Sequence, residues 1–160
     1  MVSIQDYLST RYRPDREYVD GVVVERTLGE YDHARLHTEI VFYFRSRLAQ
    51  WGLRPIVEQR VQVCATRCRV PDICVVAGTP SEQVLRTPPL ICIEILSKND
   101  SLAEMRERVA DYLTFRVPYV WVLDPAARKA WRCTVGGISE VTELRTESPD
   151  AVIPLAELFE

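Results

Sequence analysis

Two short runs, Ile73-Cys74-Val75-Val76 and Leu90-Ile91-Cys92-Ile93, are apolar at every position instead of at every second one. A strand with one wet face alternates, whereas a strand that is apolar throughout has cover on both faces. The two runs therefore point to central strands of a sheet with helices above and below it. Tyr119 to Leu123 reads as a third strand of this kind.

The covering helices are legible from their periodicity. Between Asp32 and Trp51 the residues Leu36, Ile40, Val41, Phe44, Leu48 and Trp51 recur at steps of three and four, and Gly52 stops the run. Ser101 caps a second helix reaching about Phe115, with Glu104 at the capping-box position and Leu102, Met105, Val109, Tyr112 and Leu113 as the buried stripe. Ser3 caps a short helix from Ile4 to Ser9. Asp20-Gly21 between Glu17-Tyr18-Val19 and Val22-Val23-Val24-Glu25 predicts an N-terminal hairpin. Pro55 to Val63, Val70 to Ala77 and Leu90 to Leu96 read as consecutive strands. Lys129 to Thr134 and Ile138 to Glu143 read as a C-terminal edge hairpin turning at Gly136-Gly137. This order predicts an α/β fold over residues 1–160 as one domain: a mixed central sheet flanked by helices, with a hairpin near each end.

Composition narrows the function classes. With 160 residues the chain can bury roughly 70% of its unfolded surface, so neither disulfides nor a structural metal are required for folding. No apolar run approaches the ~20 residues of a membrane helix, and Met1-Val2-Ser3-Ile4 does not begin a secretory signal, so the expected location is cytoplasmic, with no membrane partner. Cys64, Cys68, Cys74, Cys92 and Cys133 form an odd set without a paired C-x-x-C and read as small buried hydrophobes. The net charge of −3 argues against a whole-surface grip on nucleic acid. From Glu140 onward, however, six acids stand against Arg145, which leaves the rest of the chain at +2.

Chemistry enters with Glu94. A carboxylate between Ile93 and Ile95 in an otherwise apolar strand is expensive unless it is paired or binds a cation. Asp72, after Pro71 at the start of the neighbouring run, supplies a second acid, and two such acids on one side of a sheet form a hard-oxygen site suited to Mg²⁺ or Mn²⁺. Arg108 lies three residues after Met105 and four before Tyr112, so it points with the buried stripe, while Arg106 is turned to solvent. A structural reading stands beside this one: Asp72 bonding a turn, Glu94 on a solvated face, Arg108 paired with Glu104 at i,i+4. Glu58 is an accessory acid or an edge-strand residue. Lys98 and Asn99 follow the Glu94 strand at its carboxyl end, where ligands meet open α/β sheets, and Lys98 reads as a phosphate contact or as a solvated loop charge. Spacing argues against structural zinc, since His33 and His37 are the only histidines and nothing completes a four-ligand set with Cys64 and Cys68.

Glu17-Tyr18-Val19-Asp20-Gly21, His33, Arg69-Val70-Pro71-Asp72-Ile73, Glu94-Ile95-Leu96-Ser97, Tyr112 and Val117 to Pro125 together resemble the Uma-two family of restriction-endonuclease-like proteins, within the PD-(D/E)XK nuclease superfamily. The resemblance spans nearly the whole chain. It implies a Mg²⁺-dependent (or Mn²⁺-dependent) endonuclease acting on DNA, with Asp72, Glu94 and the carbonyl of Ile95 as metal ligands and a metal-activated water as nucleophile. It also implies a site role for His33, near the start of the long helix; His37 is not selected. The chain departs from the pattern at the motif lysine. Leu96 stands two residues after Glu94, and Arg108 occupies the later helical position where the family places a lysine. Arginine holds phosphate or negative charge but does not deprotonate water, so the alternative is a degenerate nuclease fold that binds nucleic acid or a protein without cutting. Cutting both strands calls for two sites. Val120-Trp121-Val122-Leu123, followed by the Trp131 hairpin, reads as a self-pairing edge that predicts a homodimer, or else as aromatics filling the monomer core.

Overall fold

The computed structural model describes residues 1–27 and 29–160. The first half of the chain forms α1 (Ile4–Ser9), β1 (Glu17–Val19), β2 (Val22–Val24), α2 (Tyr31–Ser46), α3 (Leu48–Trp51), β3 (Leu53–Val57), β4 (Val61–Cys64), β5 (Arg67–Arg69) and β6 (Ile73–Ala77). The second half forms β7 (Ile91–Ile95), α4 (Leu102–Thr114), β8 (Tyr119–Asp124), β9 (Lys129–Thr134), β10 (Gly137–Val141), β11 (Glu143–Thr146), β12 (Ala151–Pro154) and α5 (Leu155–Leu158).

Six strands build the central sheet in the order β10-β9-β8-β7-β6-β3. All its pairs are antiparallel except β7 with β8, and α4 makes the crossover that a parallel pair requires. Alternation along β7 sorts its side chains between two cores. Ile91, Ile93 and Ile95 join Leu36, Ile40 and Phe44 of α2 with Trp121 and Leu123 of β8. Cys92 joins Cys74, Val120 and Val122 under Met105, Val109 and Tyr112 of α4. The uniformly apolar runs are thus covered on both faces, as their sequence requires. A second sheet, β2-β1-β5-β4, packs Tyr18 and Cys68 against Tyr7 of α1. Its β1–β2 hairpin turns at Asp20 and Gly21, which both have positive φ (49° and 93°), as the Asp-Gly signal predicts.

Several boundaries differ from the sequence reading. The expected strand from Pro55 to Val63 is two strands in two sheets, because Glu58 takes φ 51° and turns the chain between them. The expected helix from Asp32 to Trp51 breaks at Arg47 (φ −113°) into α2 and α3, and Gly52 closes it in the left-handed region. Arg67–Arg69 is a separate strand of the small sheet, and the run after it becomes regular only at Ile73. Leu102, the first residue of α4, is 66% exposed instead of buried. Gly137 pairs with Thr134, so the C-terminal hairpin turns at Val135-Gly136, and Glu143 opens a strand that pairs with β12. Cys64 is exposed; the other four cysteines are buried.

β8 is bonded to β7 on one side and β9 on the other, so it has no free edge. Trp121 fills the α2-side core and Trp131 packs against the α4-side one, which is the core reading of both aromatics. Among the described residues no helix is long and apolar enough to cross a membrane.

Trp121 is among the largest fully buried side chains, and Phe42 is 66% exposed on α2. Trp121→Ala should lower unfolding free energy by roughly 3–5 kcal/mol. Phe42→Ala should change it by no more than about 0.5 kcal/mol. Denaturant midpoints of the two variants check the pair.

Candidate functional site

The β6–β7 register pairs Ile73 with Ile93; one residue further, Asp72 stands opposite Glu94. Directly opposed residues of an antiparallel pair put their side chains on the same face with Cβ atoms about 5 Å apart. Both acids are buried, at 8% and 2% exposure. Asp72 Oδ2 accepts the main-chain N–H of Ile95 at 2.8 Å, which ties the head of β6 to the tail of β7. A strand residue directs its N–H and C=O toward the same neighbour, so the Ile95 carbonyl is also turned toward Asp72.

Around this pair the charges alternate. Arg26 Nη2 donates to Asp72 Oδ1 at 2.8 Å, and His33 Nε2 lies 3.5 Å from Oδ2. His37 Nε2 is 3.0 Å from the Asp72 main-chain oxygen. Tyr112 Oη donates to Glu94 Oε1 at 2.5 Å. Arg108 is buried and points into the same region, but Glu104 is not its partner. Its Nε donates to Glu17 Oε1 at 2.9 Å, and Nη1 stands 3.8 Å from Asp100. Glu17, 1% exposed, also accepts the N–H of Val70 at 3.3 Å and lies 3.6 Å from Arg69. Arg69 in turn donates to Asp111 of α4 at 2.7 Å.

The electrostatics follow from this packing. Burial alone would push Asp72 up, but contact with His33, the charge of Arg26 and the Ile95 N–H outweigh it and hold the carboxyl at about 2. Glu94 moves the other way. Burial, and then repulsion from Asp72, push it well above the ordinary carboxylate range, although Arg108 and Arg26 oppose the shift. Contact with the Asp72 carboxylate raises His33 against the effect of its burial.

A cavity of about 310 Å³ opens beside the pair at the carboxyl ends of β7 and β8, bordered by His33, Leu96, Ser97, Lys98, Asp100 and Asp124. His33 thus stands between the acids and solvent. Lys98 is 78% exposed and 3.2 Å from Glu30 at that opening, a solvated loop charge. Asn99 is exposed in the same loop, and Glu58 is an exposed turn residue outside the site.

The structure therefore brings Asp72, Glu94, Ile95, Arg108 and His33 together. The sequence reading missed Glu17, Arg26 and Asp100. Glu17 opens its strand between Arg16 and Tyr18 and lacks the apolar flanks that single out Glu94. Arg26 and Asp100 lie in irregular segments with no periodicity to betray them.

Two buried carboxylates and a strand-end carbonyl form a hard-oxygen donor set that fits Mg²⁺ or Mn²⁺. Among the described residues no three His, Cys, Asp or Glu side chains converge to hold an ion. An ion here would keep several waters, as Mg²⁺ usually does.

The sequence profile of the Uma2 family, described as "Putative restriction endonuclease", matches residues 4–160. No curated protein matches the chain significantly. The crystal structure of a putative nuclease belonging to DUF820 from Anabaena variabilis ATCC 29413 superposes with a TM-score of 0.82 at 18% identity, over 99% of this chain and 98% of that one, so the two share a fold. The DrdV–DNA complex matches with a TM-score of 0.40 at 19% identity, over 79% of this chain and 12% of the other.

Two titrations report on the pair. Glu94, raised from an ordinary value near 4.5, binds its proton more tightly folded than unfolded, so its contribution to stability falls as pH rises from that value toward the raised one. In EDTA, Glu94→Gln should remove this loss, and its stability relative to wild type should increase from pH 4.5 to neutrality in denaturant titrations. His33, raised above 6.5, stabilises the fold fully below that pH and loses its contribution as pH rises through the folded value. NMR should find its midpoint above 6.5 in wild type and shifted down toward 6.5 in Asp72→Asn.

Proposed function

Because the chain belongs to the Uma2 family, we propose that it is a divalent-metal-dependent nuclease hydrolysing phosphodiester bonds in DNA. The observation that carries this reading is the placement of Asp72 opposite Glu94 at the β6–β7 end, both buried, with the Ile95 main chain beside them. Asp72, Glu94 and the Ile95 carbonyl would hold Mg²⁺ or Mn²⁺. When bound, such an ion supplies an acidic water for attack on phosphorus and positive charge against the phosphate.

The remaining residues prepare that chemistry. Tyr112 fixes the Glu94 carboxyl through its 2.5 Å hydrogen bond to Oε1. Arg108, kept charged by Glu94 and Glu17, stands as a fixed cation beside the acids and does not serve as a base. His33, on the cavity wall and within 3.5 Å of Asp72, meets a phosphate or leaving oxygen entering from solvent and holds or moves its proton.

A second reading, a degenerate nuclease fold that binds without cutting, is favoured by one observation: the Arg108 Nε is committed to Glu17 where the family places a lysine. The two readings separate in one assay. Incubated with plasmid and single-stranded DNA and Mg²⁺ or Mn²⁺, wild type should cut. Asp72→Ala and Glu94→Ala should each lose at least about a hundredfold in rate, or about 2.7 kcal/mol of barrier. Activity surviving in both variants removes the nuclease reading. Cleavage that appears only in Arg108→Lys establishes the degenerate one.

A further inference from the structure

Asp72 has no oxygen free of a protein donor. Oδ2 takes the Ile95 N–H at 2.8 Å with His33 at 3.5 Å, and Oδ1 takes Arg26 at 2.8 Å. The Arg26 side chain is only 15% exposed, and the charges of Glu94 and Glu17 reach it as well as that of Asp72. Its guanidinium therefore lies within the negative field of the pair, which would also draw a second cation. Two cations on one carboxylate oxygen repel strongly in a partly buried setting.

Arg26 is held differently from the other arginines of the region. Arg108 and Arg69 project from α4 and β5 and are clamped by acids from more than one element. Arg26 comes from the irregular connection between β2 and α2, and among the described residues its one side-chain hydrogen bond is to Asp72. It neutralises the site, yet a single bond on an irregular segment retains it.

We propose that Arg26 is the resident counter-cation of the metal-free site, and that its guanidinium leaves Asp72 Oδ1 before a divalent ion engages Asp72 and Glu94 together. This rests on the reading of the pair as a metal site. Metal affinity is then set by competition: the ion gains the two carboxylates only after displacing a charge that the chain itself supplies. Removing that charge should tighten binding, the reverse of what losing an ordinary supporting residue does.

The test is calorimetric titration of the full chain with Mn²⁺, without DNA, and with electron paramagnetic resonance of free Mn²⁺ as a second readout. Arg26→Met should bind Mn²⁺ about tenfold or more tightly than wild type, and Arg26→Lys, which keeps the charge, should stay within about threefold. Arg26→Gln retains an N–H donor for Asp72 without charge and should tighten as Met does; it serves if the Met variant fails to fold. Unchanged or weaker binding in the uncharged variants, with wild type still binding, overturns the proposal and leaves the metal site standing. Equal tightening in Arg26→Lys also overturns it, because shape and not charge would then be the cause. Absence of Mn²⁺ binding in wild type and all variants overturns the metal reading, and the proposal with it.

Discussion

Three carboxylates, those of Glu17, Asp72 and Glu94, are withdrawn from water within one small region, and the structure around them is arranged to make that tolerable. A buried ion costs several kcal/mol unless opposite charge and hydrogen bonds replace its hydration. Glu17 receives two arginines and a main-chain N–H. Asp72 receives Arg26, His33 and the Ile95 N–H. Glu94 receives one direct side-chain donor, the Tyr112 hydroxyl, and faces Asp72 across the strand pair. The least compensated of the three is therefore the acid on a central strand of the sheet, which is almost fully withdrawn from water.

The small sheet looks peripheral, yet it sets the geometry of this region. β1 carries Glu17 to Arg108, and β5 carries Arg67 and Arg69 to α4. Arg67 lies 3.0 Å from Asp111, 3.1 Å from Glu107 and 2.8 Å from Asp20 of the hairpin turn, while Arg69 lies 2.7 Å from Asp111. These bridges run along one side of α4 and fix its rotation. That rotation directs Tyr112 and Arg108 to the sheet and leaves Arg106 in solvent. Two short strands and a tight turn thereby position side chains on a helix that begins 33 residues after β5 and 83 residues after β1.

Much of the fold was legible because it rests on local rules. The apolar runs of β6 and β7 declared their double cover, Asp20-Gly21 declared its turn, and Ser101 accepts the Glu104 N–H as a capping residue should. The inward direction of Arg108 followed from helical spacing alone. What failed needed distant information. Nothing near Pro55 to Val63 says that the chain leaves one sheet for another at Glu58, a residue that seldom takes positive φ. Nothing near Tyr119 to Leu123 says that both of its edges are paired. The partner of Arg108 lies 91 residues away in sequence, so the i,i+4 alternative was the only local answer. Arg26 is 46 residues from Asp72 and has no element of its own to predict.

The partition of β7 between two cores has a consequence for the folding of the strand itself. Ile91, Ile93 and Ile95 would be acceptable in many alignments against β6 and β8, since apolar strands carry little information about pairing. Glu94 removes that freedom. A slip of one residue turns every side chain to the opposite face. The acid would then lie among Leu36, Phe44 and Trp121, far from Tyr112 and the arginines, an uncompensated charge in a dry layer. The residue that makes the strand costly to bury thus also penalises its nearest mispairing, and a variant with an apolar residue at Glu94 would give up part of the chain's means of choosing its own alignment.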